Sequence, residues 1–185
     1  SELFRQKREV VRFESIPDDV VHAFIAIEDS EFYQHFGINP KGIVRAFFIN
    51  VFSGSIKQGG STITQQLSKV LLTSRERTIY RKVKEAFISI MMEMFYTKDE
   101  ILGLYLNQIF LGHGTYGVES ASLFYYNKHV KDLNLAESSL LAILPAAPNR
   151  FSPIKHPKRA MNRHKAVLAR MVDLGFVTIP QAEKA

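Results

Sequence analysis

Two glutamates, Glu28 and Glu85, stand in sequence surroundings that suit acid–base chemistry. Glu28 ends the apolar run 20–27, and in a helix Phe24 and Ile25, which precede it by four and three residues, share its face. A carboxylate held against apolar surface has its charged form disfavoured, which raises its pKa. Glu28 is therefore predicted to take part in proton transfer.

Glu85 has the opposite kind of neighbours. It follows Arg81 and Lys82 by four and three residues within a predicted helix, and two nearby cations hold a carboxylate ionised. Two carboxylates whose surroundings push their pKa values apart are often the acid and the base of an enzyme active site. The chain is therefore predicted to be an enzyme. The plainer alternative for Glu85 is an ordinary ion pair with Arg81.

Basic residues are concentrated just before Glu85. They are Lys69, Arg75, Arg77, Arg81, Lys82 and Lys84, and only Glu76 and Glu85 oppose them. Such a run is usually a solvated helix face. Here it flanks a glycine-rich turn and a mid-helix carboxylate, and the surplus of positive charge suits an oxygen-rich anionic ligand.

The segment Gly59-Gly60-Ser61-Thr62 opens a predicted helix. Backbone N–H groups at a helix start lack internal partners and attract anions. Gln65, Gln66 and Lys69 continue the same face with side-chain donors, which favours an anion site. The commoner meaning of Ser61 or Thr62 is a helix N-cap, and that alternative stays open.

The chain as a whole is typical of one globular domain. It has 185 residues, 46% of them apolar and 23% charged, and it can bury a sizeable core. Cysteine is absent, which excludes disulfides and thiolate metal sites, and no other metal-ligand set is evident. The net charge of +6 indicates anionic partners, whether nucleic acid, acidic lipid or a phosphorylated substrate. No apolar run reaches the roughly 18–20 residues of a membrane span, and the polar start at residues 1–12 is typical of a mature or excised fragment.

Helical periodicity dominates the chain. Helices are predicted at about 17–27, 43–52, 61–72, 77–96, 98–110, 117–127, 135–144 and 157–174, with a short edge strand within 8–13. The helix carrying Glu85 is expected to bury the opposite side, formed by Val83, Phe87, Ile90 and Met94. The 43–52 helix is apolar nearly all round, through Phe47, Phe48, Val51 and Phe52. It is either buried core or a helix in a membrane interface.

Five segments, taken in order, resemble the motifs of the peptidoglycan glycosyltransferase (transglycosylase) domain of class A penicillin-binding proteins and their monofunctional relatives. The resemblance covers nearly the whole chain, from about residue 13 to 157. They are Glu28-Asp29-x-x-Phe32-x-x-His35-x-Gly37; Gly59-Gly60-Ser61-Thr62-Ile63-Thr64-Gln65-Gln66; Arg81-Lys82-x-x-Glu85 with Glu93; Lys98-x-x-Ile101-Leu102-x-x-Tyr105-Leu106-Asn107 with Gly112; and Leu144-Pro145-x-x-Pro148 with Pro153. Ser89 departs mildly from the family pattern, which usually has alanine there.

The resemblance implies a mainly α, lysozyme-like fold, with a larger helical lobe and a small hydrophobic jaw lobe at about 38–60 inside a single domain, 1–185. It also implies contact between Phe47, Phe48, Val51, Phe52 and the membrane. A membrane anchor normally precedes this domain, and a transpeptidase domain follows it in bifunctional members. The implied location is the extracytoplasmic face of the bacterial cytoplasmic membrane.

The activity implied by the resemblance is polymerisation of lipid II into β-1,4-linked glycan, with inversion and release of undecaprenyl pyrophosphate. Glu28 would be the general base, and Glu85 would position the cations or assist departure of the leaving group. The implied pyrophosphate and sugar contacts are Gly60, Ser61, Thr62, Gln65, Gln66, Lys69, Arg77, Arg81, Lys82 and Asn107. No cofactor is required, although Mg²⁺ or Mn²⁺ can assist, and no nucleic acid is expected as partner.

Two other functions compete with this one. A lysozyme-like hydrolase or lytic transglycosylase also uses a buried acidic glutamate in a helical fold, but it has no need of six cations beside its second carboxylate. A basic binding module for nucleic acid or acidic lipid predicts that Glu28 is dispensable.

Overall fold

The structure is a computed structural model, and it describes residues 7–53, 59–72 and 78–185. The helices are α1 Asp18–Glu28, α2 Pro40–Ser53, α3 Ile63–Leu71, α4 Ile79–Phe95, α5 Lys98–Gln108, α6 Val118–Tyr126, α7 Leu135–Leu141, α8 Pro157–Asp173 and α9 Ile179–Lys184. The strands are β1 Lys7–Arg8, β2 Phe110–Gly112 and β3 Thr115–Tyr116. Short 3-10 turns lie at Phe13–Ser15, Phe32–Gln34 and Val130–Asp132.

The chain divides into two compact units. The first combines Ser1–Ser30 with Leu106–Ala185, and the second is Glu31–Tyr105. The second unit is longer than the 38–60 segment that the resemblance implies for a jaw lobe. The description of the chain as a single domain with a lobe at 38–60 stays a prediction.

The first unit is built around α1, α7 and α8. The sequence starts α1 after Pro17, with Asp18 and Asp19 in the first turn, where acidic groups complement the helix dipole. These helices pack against one another, and Phe24 of α1 and Val167 of α8 are fully buried. The strands of this unit form a small sheet in the order β1-β3-β2, with β1 parallel and β2 antiparallel to β3. The predicted edge strand is therefore present, but it is shorter and begins one residue earlier.

The second unit is organised by the packing of α3 against α4. Thr62 caps α3 in a capping box with Gln65, so the N-cap interpretation of this segment is confirmed. The contact between the helices is polar: the hydroxyls of Ser68 and Ser89 lie 3.0 Å apart, and Thr64 Oγ1 donates to Glu93 Oε1 at 2.7 Å. Small hydroxyl side chains let the two backbones approach while each polar atom keeps a partner.

The prediction for the buried face of α4 is wrong. The buried residues are Glu85, Ser89 and Met92, and the residues expected in the core are exposed. Their exposed fractions are 62% for Val83, 64% for Phe87, 38% for Ile90 and 62% for Met94. Periodicity identifies an apolar stripe but assumes that it faces protein, whereas α4 packs through its hydrogen-bonded polar side.

The described large side chains of α2 are also mostly exposed. Phe48, Val51 and Phe52 lie on the surface, Phe52 with 84% exposure, and the side chain of Phe47 lies outside the described set. The buried-core alternative for this helix is therefore wrong for these three residues. Among the described residues, no helix combines the length and apolar character that a membrane span requires.

Candidate active site

Glu28 is the last residue of α1, at the point where a buried helix meets a turn. Phe24 and Ile25, which share its face, are buried, and Glu28 itself is half-buried. Asp29 caps the helix with its backbone N–H on the Ile25 carbonyl at 3.0 Å, and its own side chain is almost fully buried. The carboxylate is thus anchored on a rigid element, which suits a group that must be held in place for proton transfer.

Glu85 lies in the middle of α4 with only 1% of its surface exposed. Arg81 Nη1 lies 3.3 Å from one carboxylate oxygen and Lys82 Nζ lies 2.8 Å from the other. A buried carboxylate needs such partners, because an unpaired buried charge is strongly unfavourable. The two cations leave this group with one surplus positive charge, as the sequence predicts.

Lys82 also connects α4 to the segment before α3. Its ammonium donates to Ser61 Oγ at 3.3 Å, while it pairs with Glu85 on its other side. Gly60 approaches α2 so closely that a Cβ there would lie 3.3 Å from the Ile43 Cα. The structure therefore brings Ser61, Arg81, Lys82 and Glu85 together within the second unit, whereas Gly60, the residue before Ser61, packs against α2.

Thr62 and Gln65 are engaged in the helix cap. Gln65 N donates to Thr62 Oγ1 at 3.1 Å, and Thr62 N donates to Gln65 Oε1 at 3.0 Å. Thr62 Oγ1 in turn donates to the Gly37 carbonyl at 2.7 Å. Both residues are buried, so their first role is to fix the start of α3, and substrate contact by either stays a prediction.

The remaining predicted contacts have different surroundings. Gln66 accepts a hydrogen bond from Tyr105 Oη at 3.3 Å, and Lys69 is exposed on α3. The Asn107 amide is bound to the backbone of Val11, accepting from its N–H at 2.9 Å and donating to its carbonyl at 3.0 Å. Asn107 thus holds the segment after β1, a structural contact that sequence reasoning missed. Arg77 lies outside the described residues.

The residues of the first motif that follow Asp29 lie in the second unit, where they have packing roles. Phe32 is fully buried, with the Lys98 ammonium 4.4 Å from its ring centroid and His35 edge-on to it at 6.1 Å. Gly37 has φ of +77°, and a Cβ there would lie 2.8 Å from the Ser89 carbonyl oxygen. Only glycine meets both requirements, which gives the motif glycine a steric explanation.

A further buried carboxylate, that of Glu93, connects helices of the second unit, although Glu93 is not one of the predicted site residues. Glu93 accepts from Thr64 Oγ1 at 2.7 Å and from Lys98 Nζ at 2.8 Å, so it joins α3, α4 and the start of α5. Sequence reasoning used Glu93 and Lys98 only as parts of motifs. Their pairing could not be read from periodicity, because it links residues of different helices.

Comparison with known proteins supports the motif assignment. The transglycosylase family matches residues 1–172. The chain is 52% identical over 97% of its length to penicillin-binding protein 1A of Aquifex aeolicus, and 47% identical over 98% to penicillin-binding protein 1A of Escherichia coli. It is 44% identical over 99% to penicillin-binding protein 1F of Bacillus subtilis. The chain spans between a fifth and about a quarter of the length of these relatives: 25%, 21% and 26% respectively.

A solved structure shows the same fold. The crystal structure of penicillin-binding protein 1A from Haemophilus influenzae matches 97% of this chain and 17% of its own, with a TM-score of 0.58 and 25% identity. The mainly α, lysozyme-like fold predicted from the sequence is thereby confirmed. The chain belongs to the transglycosylase family, and it is a peptidoglycan glycosyltransferase domain.

Proposed function

We propose that this domain polymerises lipid II into β-1,4-linked glycan strands and releases undecaprenyl pyrophosphate. The growing lipid-linked chain is the donor and lipid II is the acceptor. The observation that carries the proposal is the group formed by Ser61, Arg81, Lys82 and Glu85. It presents surplus positive charge fixed by a buried carboxylate, and a pyrophosphate leaving group requires such a surface.

Glu28 is the proposed general base. Its carboxylate takes the proton from the acceptor 4-hydroxyl, and the oxygen then attacks the anomeric carbon of the donor. The bond from that carbon to the pyrophosphate oxygen breaks, and its electron pair leaves with the pyrophosphate. Attack from the opposite face inverts the anomeric centre. The half-buried position of Glu28 at the end of a buried helix supports this role.

Arg81, Lys82 and Ser61 stabilise the negative charge that grows on the leaving group. Preorganised donors of this kind contribute most to rate when they are fixed before the reaction, because no reorganisation is then needed. Glu85 supplies that fixation, since each of its oxygens already contacts a cation. Its proposed role is therefore to position the cations. Lys69 and Arg77 are proposed further contacts for the pyrophosphate.

No step of this mechanism requires a bound metal. The described residues contain no group of three His, Asp or Glu side chains placed to hold one, and the Glu85 oxygens already pair with Arg81 and Lys82. A divalent ion that assists departure would therefore take most of its ligands from the pyrophosphate and water. Activity in the presence of a chelator tests this point.

The second unit is proposed to contact the membrane that holds the lipid substrate. It carries most of the exposed large apolar side chains among the described residues, including Phe48 and Phe52 on α2 and Phe87 on α4. Exposed apolar surface of this extent marks an interaction site. We place the domain at the extracytoplasmic face of the bacterial cytoplasmic membrane. The greater length of the relatives supports a transpeptidase domain as a partner in the native protein.

Supplying purified lipid II and preformed glycan separately tests the proposed reaction. Net growth of glycan chains from lipid II, with no shortening of preformed glycan, is the expected result. Shortening of glycan without growth would instead establish the lytic alternative.

A further inference from the structure

The turn that follows Glu28 is tied to α8 by a side-chain hydrogen bond. Arg170 Nη2 donates to Ser30 Oγ at 3.1 Å, across 140 residues of sequence. Ser30 lies two residues after Glu28, and both Ser30 and Arg170 belong to the first unit. The bond therefore fixes the chain just beyond the proposed base.

A second contact holds α1 on the other side of Glu28. The His22 ring stacks on Phe176, with centroids 4.2 Å apart and an interplanar angle of 1°. Phe176 is itself fixed to the end of α8, because its N–H donates to the Met171 carbonyl at 2.9 Å. His22 precedes Glu28 by six residues. The last two turns of α1 are therefore held at one end through Phe176 and at the other end through Arg170.

Arg170 is suited to this position by its shape. Its planar guanidinium carries several donors in a rigid fork, so one side chain can reach Ser30 while it keeps a second contact. That second contact is Nη1 to Asp173 Oδ2 at 3.8 Å, a long ion pair to a largely exposed carboxylate that adds little stability. The next residue, Met171, is fully buried, which holds the backbone at Arg170 in place.

We propose that Arg170 is a positioning residue for the proposed base, Glu28, and that it acts through Ser30. This inference depends on the base role proposed above. A general base must lie within about 2.6–3.2 Å of the oxygen whose proton it takes, and a displacement of about 1 Å can lower the rate 100-fold. Loosening the turn after Glu28 should therefore lower kcat and leave substrate binding nearly unchanged.

The test compares Arg170→Ala, Arg170→Lys, Ser30→Ala and the double variant Arg170→Ala/Ser30→Ala in the full-length protein. Arg159→Ala is the matched control, since Arg159 is an exposed arginine on the same helix. The measurements are kcat and KM for lipid II polymerisation together with Tm. We expect kcat to fall about tenfold in Arg170→Ala and in Ser30→Ala, with KM unchanged. Arg170→Lys should recover part of the loss, and the double variant should fall no further than either single variant.

Several outcomes would overturn the inference. Unchanged kcat in Ser30→Ala, a lowered Tm with normal kcat in Arg170→Ala, or additive losses in the double variant would each contradict a positioning role of Arg170 that acts through Ser30. If Arg170→Ala does not fold, Ser30→Ala decides alone. Full activity of Glu28→Gln would refute the base role itself. Loss of activity in Glu28→Gln with normal Ser30 and Arg170 variants would refute only the positioning role.

Discussion

Lys82 has two contacts that make it the most informative cation of the proposed site. Its ammonium lies 2.8 Å from Glu85 Oε2 and 3.3 Å from Ser61 Oγ, so it joins the buried carboxylate to the segment that precedes α3. Half of its side chain remains exposed, which leaves it able to contact a ligand. The rate contribution of such a donor is tested by removing the charge and keeping the length of the side chain.

Lys82→Met should lower the polymerisation rate about 100-fold, because one fixed donor to the leaving group is lost. Lys84→Met is the matched control. Lys84 is exposed two residues further along α4 and lies over the Tyr80 ring at 4.4 Å. Steady-state rates with lipid II check the prediction. Equal losses in both variants would mean that the effect reflects the net charge of the helix and not this contact.

At the scale of elements, the close approach of the Gly37 backbone to α4 stabilises the packing of the second unit. Gly37→Ala should lower the free energy of unfolding by about 2–4 kcal/mol, since it combines a positive φ with a Cβ placed 2.8 Å from the Ser89 carbonyl oxygen. Gly59→Ala is the control, because a Cβ at Gly59 meets no atom within 4 Å. Thermal or denaturant unfolding measures the difference. Similar stability for the two variants would contradict the steric account.

The packing of α7 on α8 predicts a dependence of stability on pH. His164 is buried with Nε2 2.8 Å from Ser139 Oγ, and burial lowers the pKa of its imidazole below the ordinary 6.5. The unfolded chain therefore takes up the proton first as pH falls. The stabilisation is complete above about pH 6.5 and decreases below it, by up to about 1.4 kcal/mol per pH unit, until the folded pKa is reached.

Comparing unfolding free energies of the wild type, His164→Gln and His156→Gln between pH 7.5 and 5 checks this prediction. The decrease should become smaller in His164→Gln and persist in His156→Gln, since His156 is exposed. A decrease of the same size in all three proteins would assign the effect to other groups.

Sequence reasoning located the helices well, because most carry clear apolar periodicity and recognisable start signals. It placed α1, α3 and α8 close to their observed ends, but it missed α9 and extended α5 by two residues into the β2 region. It assigned the wrong buried face to α4, since helix packing through hydroxyls and a paired carboxylate leaves no hydrophobic signature. The ion pairs of Glu85 were predictable from spacing alone, whereas the link from Lys82 to Ser61 joins α4 to the segment before α3 and was not.

At the scale of the whole molecule, the exposed apolar side chains of the second unit predict binding to lipid. Phe52→Ser combined with Phe87→Ser should weaken the binding of this 185-residue chain to vesicles of phosphatidylglycerol and phosphatidylethanolamine about tenfold. The reason is that two large aromatic rings are no longer transferred from water into the lipid. Ile179→Ser is the control, since Ile179 is also exposed but lies in the first unit. Vesicle co-sedimentation measures the change. An equal loss in the control would indicate nonspecific adsorption.

The family and the fold were predictable from the sequence because five short motifs occur in the right order, each of moderate specificity alone. The motifs do not distinguish residues that meet substrate from residues that hold the frame. The structure distinguishes their surroundings: Gly37, Thr62 and Asn107 have steric roles or buried hydrogen bonds, whereas Glu28, Lys69 and Lys82 keep exposed surface, and their contact with substrate stays a prediction. Contacts between distant segments make this distinction, and no local pattern reports them.

The central claim is that the half-buried carboxylate at the end of α1 takes the proton of the acceptor hydroxyl. The most direct measurement compares wild type and Glu28→Gln for both lipid II binding and glycan formation. The amide has the same shape but cannot act as a base, so binding should be retained while polymerisation falls by at least about 100-fold. Polymerisation by Glu28→Gln at the wild-type rate would contradict the account.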